Sequence, residues 1–267
     1  MAGGIGHGPG VLPRYPDPVT GPADFVPTLL GVALLMTLTL VVLWGSRTPH
    51  RLAPAWAIVR GTAQLAAISL VLSKVITSAV WVSLALLIMF TVASVTAARR
   101  INWSWGHLAL VASAMGCGIT ITLAIVFATG SIAFTPRYAL AIGGIVIGNA
   151  MTIATLSGRR FTDSVDQGWE QVEGWLALGA TPRQSTLGLA RKAVYSALIP
   201  ATDQTKTTGL VTLPGAFVGA IFGGVSPLQA GMFQIIVLAS VMAAGSITAV
   251  VVIRTLAPVR VRPGALR

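Results

Sequence analysis

Charge is what this chain has least of. Only 9% of its 267 residues are Asp, Glu, Lys or Arg, and just seven of them are acidic; ordinary soluble domains carry roughly a quarter charged residues. So few charges cannot clothe a soluble fold of this length, which excludes a cytosolic enzyme, a disordered chain and a coiled coil. Cysteine is nearly absent too. Cys117 stands alone in an apolar run, so neither a disulfide framework nor a thiolate metal cluster is available. His7, His50 and His107 lack metal-ligand spacing, and no tightly resident metal is expected. A phosphate loop of the Gly-x4-Gly-Lys-Ser/Thr kind is missing; Lys206 follows Thr205, not glycine. If ATP drives this protein, another chain must bind it.

Apolar residues are plentiful instead. They make up 54% of the chain, glycine adds 29 positions, and mean hydropathy is +0.81. This composition points to an all-α, polytopic membrane helix bundle. A membrane helix needs about 20 mostly apolar residues, and about seven such spans are expected: 25–46, 57–76, 79–97, 107–129, 138–157, a sixth ending near 222, and 231–253. The sixth begins near 193 or near 208, and Gly223–Pro227 forms the turn after it. Seven spans put the termini on opposite sides. Of the 18 Lys and Arg, all except Arg14, Lys74, Arg137 and Lys206 then gather on one side. The positive-inside rule makes that side cytoplasmic, with the C-terminus inside and the N-terminus outside. The same rule accounts for the net charge of +11 without a nucleic-acid partner. The expected layout is a flexible Gly/Pro-rich external tail (1–24), one transmembrane permease domain (25–255) and a basic cytoplasmic tail (256–267).

One hydrophilic stretch, 158–192, breaks the pattern of short loops. It holds Asp163, Asp166, Glu170 and Glu173, four of the seven acidic residues. A helix over 165–178 should stop at Gly179, with Pro182 opening the next helix. The string Glu173-Gly-Trp-Leu-Ala-Leu-Gly179-Ala180-Thr181-Pro182-Arg-Gln184 resembles the cytoplasmic coupling loop of ABC-transporter permeases, although Glu-Ala-Ala is replaced by Glu173-Gly174-Trp175. A helix–glycine turn–helix makes a rigid knob able to pass a push into the spans; the bland alternative is an amphipathic surface helix with a glycine cap.

Further strings extend the likeness: Arg60-Gly-Thr-Ala-Gln64-Leu, Ile147-Gly148-Asn149-Ala150-Met151, Ala197-Leu-Ile-Pro200-Ala-Thr-Asp203-Gln-Thr-Lys206-Thr-Thr-Gly209-Leu-Val-Thr-Leu-Pro214-Gly215, and Gly224-Val-Ser-Pro227-Leu-Gln-Ala230 followed by Phe233-Gln234-Ile235. In this order and spacing, from about residue 28 to 253, the chain resembles the FetB-type iron-export permeases. It is similar also to the plant aluminium-tolerance permeases of the same family. The resemblance implies a multi-pass permease of the inner or plasma membrane that is not itself an enzyme and binds no cofactor. It further implies a permease homodimer paired with separate cytoplasmic ABC ATPase subunits, which use ATP and Mg. Glu170, Glu173, Gly179, Ala180, Thr181 and Pro182 would form the coupling knob. The implied cargo is iron or a related metal or small solute. Import of another solute, an ATPase-independent transporter or channel, and a membrane scaffold are the competing readings.

Charge within a span marks function by default, which singles out Asp203 and Lys206. Three residues apart on a helix, they can pair, among Thr202, Gln204, Thr205, Thr207 and Thr208. The pair is either a structural ion pair at the cytosolic boundary or part of the substrate path. Asn149, Met151 and Gln64 are further path candidates, each with helix packing as the commoner role. Gly144-x3-Gly148 and Gly215-x3-Gly219-x3-Gly223 are expected to be packing seams, within the bundle or between copies.

Overall fold

The computed structural model describes residues 22–75 and 78–263. Among them there are ten helices and no strand, only an isolated bridge between Thr208 and Thr212. The expected tail 1–24 lies outside the described residues up to residue 21, and Pro22 already opens the first helix. The chain forms two compact units, Met1–Val71 and Leu72–Arg267.

In the first unit, α1 (Pro22–Gly45) carries no charged residue after Asp24. Its stretch Val26–Gly45 is long and apolar enough to cross a membrane. A turn follows in which Arg47 and His50 take positive φ angles of 51° and 56°. The Arg51 guanidinium sits 4.4 Å from the centre of the Trp44 ring, an amphipathic pair of the kind found at membrane interfaces. The next helix, α2, runs Ala53–Val75. It is as long as a span but includes Arg60, Gln64 and Lys74.

The second unit is built from α3 (Ala79–Ile101), α4 (Trp105–Ala128), α5 (Pro136–Gln167), α8 (Leu187–Thr207) and α10 (Pro227–Leu256), with the short helices α6 (Trp169–Ala177), α7 (Pro182–Ser185) and α9 (Gly215–Phe222) between them. Caps fix several starts: Ser104, Thr135 and Ser226 each accept from the backbone N–H three residues on, ahead of α4, α5 and α10. Five described helices are long and apolar enough to cross a membrane: Val26–Gly45 of α1, α3, α4, α5 and α10.

The expectation of an unbroken sixth span does not hold. That segment divides into α8 and α9, with residues 208–214 non-helical between them. Gly209 takes φ +90°, and Pro214 lacks the amide a continuing helix would need. At eight residues, α9 is about 12 Å long and cannot cross a bilayer alone.

Small residues set the packing. A Cβ on Gly118 of α4 would stand 2.6 Å from the Ala244 carbonyl oxygen and 2.8 Å from Thr248 Oγ1, both on α10. On Gly158 of α5 it would meet Ile101 Cδ1 of α3 at 2.6 Å, and on Gly143 it would meet Leu86 Cδ2 at 2.8 Å. Gly245 of α10 receives the Ile153 side chain of α5. Lipid tails are as apolar as leucine, so close van der Waals fit, rather than burial from water, holds such helices together. Around these contacts lies a core of Val111, Ala114, Met115, Ile142, Val146 and Val252, all fully buried.

The glycine strings singled out by spacing behave differently. A Cβ on Gly144 would stand 3.0 Å from Met89 Cε, whereas one on Gly148, Gly215 or Gly219 would meet nothing within 4 Å, and one on Gly223 would meet only carbonyls of its own helix.

Replacing Gly118 with alanine should therefore cost about 1–3 kcal/mol, because the blocking atom is backbone. Gly148→Ala should be neutral or slightly stabilising. Thermal unfolding of the detergent-solubilised variants checks both; equal melting temperatures would refute the α4–α10 packing.

Candidate functional site

Two features outside ordinary span packing stand out. The first lies at the end of the bundle where basic residues collect. α5 has 32 residues and is about 48 Å long, well beyond a hydrocarbon core of about 30 Å. Its last turns therefore carry Arg159, Arg160, Asp163 and Asp166 past the apolar zone. Gly168 ends it by donating its N–H to the Ser164 carbonyl. The expected helix over 165–178 is thus split at Gly168 into the end of α5 and the separate α6.

At the far end of α6 the chain turns as the punctuation predicts. Gly179 has φ +89°, donates its N–H to Leu176 O (3.0 Å), and is followed by Ala180 donating to Trp175 O (3.0 Å). This double bond pattern closes a helix C-terminus with a left-handed glycine. Thr181 then caps α7: its hydroxyl accepts from the Gln184 N–H, and Gln184 Oε1 accepts from the Thr181 N–H at 2.8 Å. The knob so made presents Trp175 (51% exposed) and Leu178 (81%) outward, with Glu170 and Glu173 also exposed.

The knob is fastened at its base. Thr186 is fully buried and donates its hydroxyl to Ala257 O at 2.7 Å. Arg183 Nη2 donates to Arg254 O at 3.1 Å, and Arg262 Nε donates to Asp166 Oδ1 at 2.7 Å. A second apolar core of Phe161, Val165, Ala190, Ala193, Ile253 and Ala257 lies beneath. Residues 257–263 of the expected basic tail are therefore bound against the 158–192 segment, and 264–267 lie outside the described residues.

The second feature is a cavity of about 190 Å³ beside the break between α8 and α9. Its polar lining is Asn149 from α5, Gln204 and Thr205 from α8, and Gln234 from α10; Pro214 closes one side. Gln234 is only 6% exposed, and its Oε1 has no hydrogen-bond partner. Asn149 Nδ2 donates to Ile145 O at 2.9 Å, and Thr205 Oγ1 donates to Ala201 O at 2.8 Å. Both leave oxygen lone pairs unused. Part of the broken backbone pairs locally: Gly209 N–H donates to Thr212 O, Val211 N–H to Thr207 O, and the Thr208 hydroxyl to Gln204 O.

Asn149 and Thr205 thus meet at the cavity. Asp203 and Lys206 do not line it. They lie on an exposed side of α8, 62% and 71% exposed, with Lys206 Nζ 3.8 Å from Asp203 Oδ1. Thr202 is half-buried beside them, Met151 packs at the edge of the main core, and Gln64 is exposed on α2 in the first unit. Reading spacing alone missed Gln234. The available signal was the one that marked Asn149, a carboxamide in an otherwise apolar helix.

An all-helical bundle, with apolar spans and a polar cavity against two of them, defines a polytopic membrane protein. Its family follows from comparison with known proteins: the chain belongs to the Uncharacterised protein family (UPF0014), which matches residues 26–259. It is 39% identical to the UPF0014 membrane protein STAR2 of Oryza sativa subsp. japonica over 197 residues, 73% of this chain and 69% of that protein. It is 35% identical to the Protein ALUMINUM SENSITIVE 3 of Arabidopsis thaliana over 197 residues, 73% of this chain and 72% of the relative. To the Probable iron export permease protein FetB of Escherichia coli (strain K12) it is 38% identical over 138 residues, 52% and 53% of the two chains. The likeness to iron-export and plant aluminium-related permeases read from the sequence is thereby borne out. No solved structure matches.

The fastening of the knob makes a prediction. Thr186→Val removes the bond to Ala257 O and should cost about 1 kcal/mol. Hydrogen exchange over 254–263 should speed up while exchange in α4 stays unchanged. Unaltered exchange in the tail would show that the bond does not hold it.

Proposed function

We propose that this chain is the membrane-spanning permease subunit of an ABC transporter. It exports iron, or a related metal or small solute, with ATP hydrolysed by a separate cytoplasmic ATPase. In this reading residues 25–255 are one permease domain, the 158–192 segment is the coupling piece on the cytoplasmic side, and two copies complete the pathway in the inner or plasma membrane. The relatives support the transporter class, since one of them bears the name of a probable iron export permease.

One observation carries the coupling role: the rigid turn at Gly179, with Trp175 and Leu178 exposed at the basic end of the bundle. Exposed aromatic and aliphatic anchors on a polar segment are what a partner's groove would bury. Thr181 and Gln184 stiffen the turn, and Thr186, Arg183 and Arg262 tie it to α10 and α5, so a displacement of the knob would be delivered to the spans. The cavity at the break in span six supplies the polar contact a cargo needs within an apolar bundle.

Leu178→Asp should abolish copurification with the partner ATPase and lose resistance to iron overload, while the permease remains folded and in the membrane. Gly179→Val, which forces a β-branched residue to φ +89°, should act the same way. Normal copurification and normal resistance in both variants would sink the coupling assignment.

A further inference from the structure

We infer that the cavity at the break in span six takes an uncharged, hydrogen-bonding solute, so that a metal leaving by this route leaves inside a neutral complex and not as a bare cation. The inference rests on the permease reading above and narrows its cargo.

The first ground is electrostatic. The polar lining consists of Asn149, Gln204, Thr205 and Gln234, all neutral; the remaining lining is apolar. No carboxylate, thiol, imidazole or cationic side chain reaches it. The nearest charges along α8, Asp203 and Lys206, lie outside the lining and pair with each other, so their sum is zero. Among the described residues no cluster of three His, Cys, Asp or Glu could hold a metal ion. The cavity lies against α5 and α10, two of the helices apolar enough to span. A bare divalent ion drawn in would exchange water for carboxamides and hydroxyls with no countercharge. The desolvation cost rises with the square of the charge, and nothing here offsets it.

The second ground is unspent hydrogen-bonding capacity. Gln234 is more than nine-tenths buried, and its Oε1 is unpartnered. Turning the amide over only exchanges an unpartnered acceptor for an unpartnered donor. A buried polar group without a partner is costly unless something arrives to satisfy it. Asn149 and Thr205 each donate to a helix carbonyl and keep acceptor oxygens free. Gln204 is exposed and offers a carboxamide at the rim. Hydroxyl-rich groups, which donate and accept together, match this lining.

Size is the third. About 190 Å³ holds roughly six waters at about 30 Å³ each, or one small polyol.

Binding is measured on the purified permease in lipid nanodiscs with no ATPase present, so a failure of ATPase pairing leaves the result untouched. The probes are ferrous ion alone, erythritol and myo-inositol. We expect a saturable rise in melting temperature with at least one polyol. Its affinity should fall about tenfold in Gln234→Leu and severalfold in Thr205→Val. Ferrous ion should give no response that differs between wild type and these variants. The two substitutions act on different helices, so misfolding of one still leaves the other to decide. Ferrous binding that disappears in Gln234→Leu overturns the inference, and so does the absence of any saturable response to both polyols.

Discussion

A peptide chain that stops being helical beside apolar spans must still pair every N–H and C=O, because lipid offers no partner. Residues 208–214 meet part of that demand with their own atoms and with the end of α8. Gly209, Val211 and Thr212 donate within the break, and the Thr207 and Thr208 hydroxyls return to the carbonyls that end α8. These bonds involve α8 and the break itself, not α5 or α10. Asn149 bonds back to Ile145 O through its Nδ2 while Gln234 Oε1 stays unpartnered, and both line the space beside the break.

The rest of the bundle keeps this arrangement in register through small residues. Glycines bring α4 against α10 and α3 against α5 closely enough that a methyl group would collide with backbone or with a packed side chain. Such contacts are short-ranged and leave little room for helices to slide past one another. A bundle packed this way transmits displacement as shifts of whole helices, which suits the proposed role of a permease driven from one end.

The sequence was most informative where one segment answers to itself. The uncharged run 107–129 corresponds to α4, Trp105–Ala128, and Gly179 with Pro182 marked the turn between α6 and α7 because glycine and proline act on their own backbone. It was least informative where two segments must meet. The lack of charge from 207 onward suggested span after span, although Gly209 and Pro214 were in view; hydropathy counts lipid affinity and ignores backbone continuity. Spacing selected Gly144, Gly148, Gly215, Gly219 and Gly223, yet the glycines pressed hardest are Gly118, Gly143, Gly158 and Gly245. Only the facing helix distinguishes the two sets. The bond from Thr186 to Ala257 spans 71 residues, and no local pattern announces it. The cavity has the same character, since four side chains from three helices define it and none is conspicuous alone.

The final helix bears on the gearing of the molecule. α10 lies against the cavity through Gln234 and, some twenty residues later, delivers its own carbonyls to Arg183 and Thr186. One continuous rod therefore joins the polar chamber to the turn at the basic end, with no joint between. Rolling that rod about its long axis would swing the Gln234 carboxamide and the Arg254 and Ala257 carbonyls through a common angle, so chamber and turn behave as two cams on a single shaft.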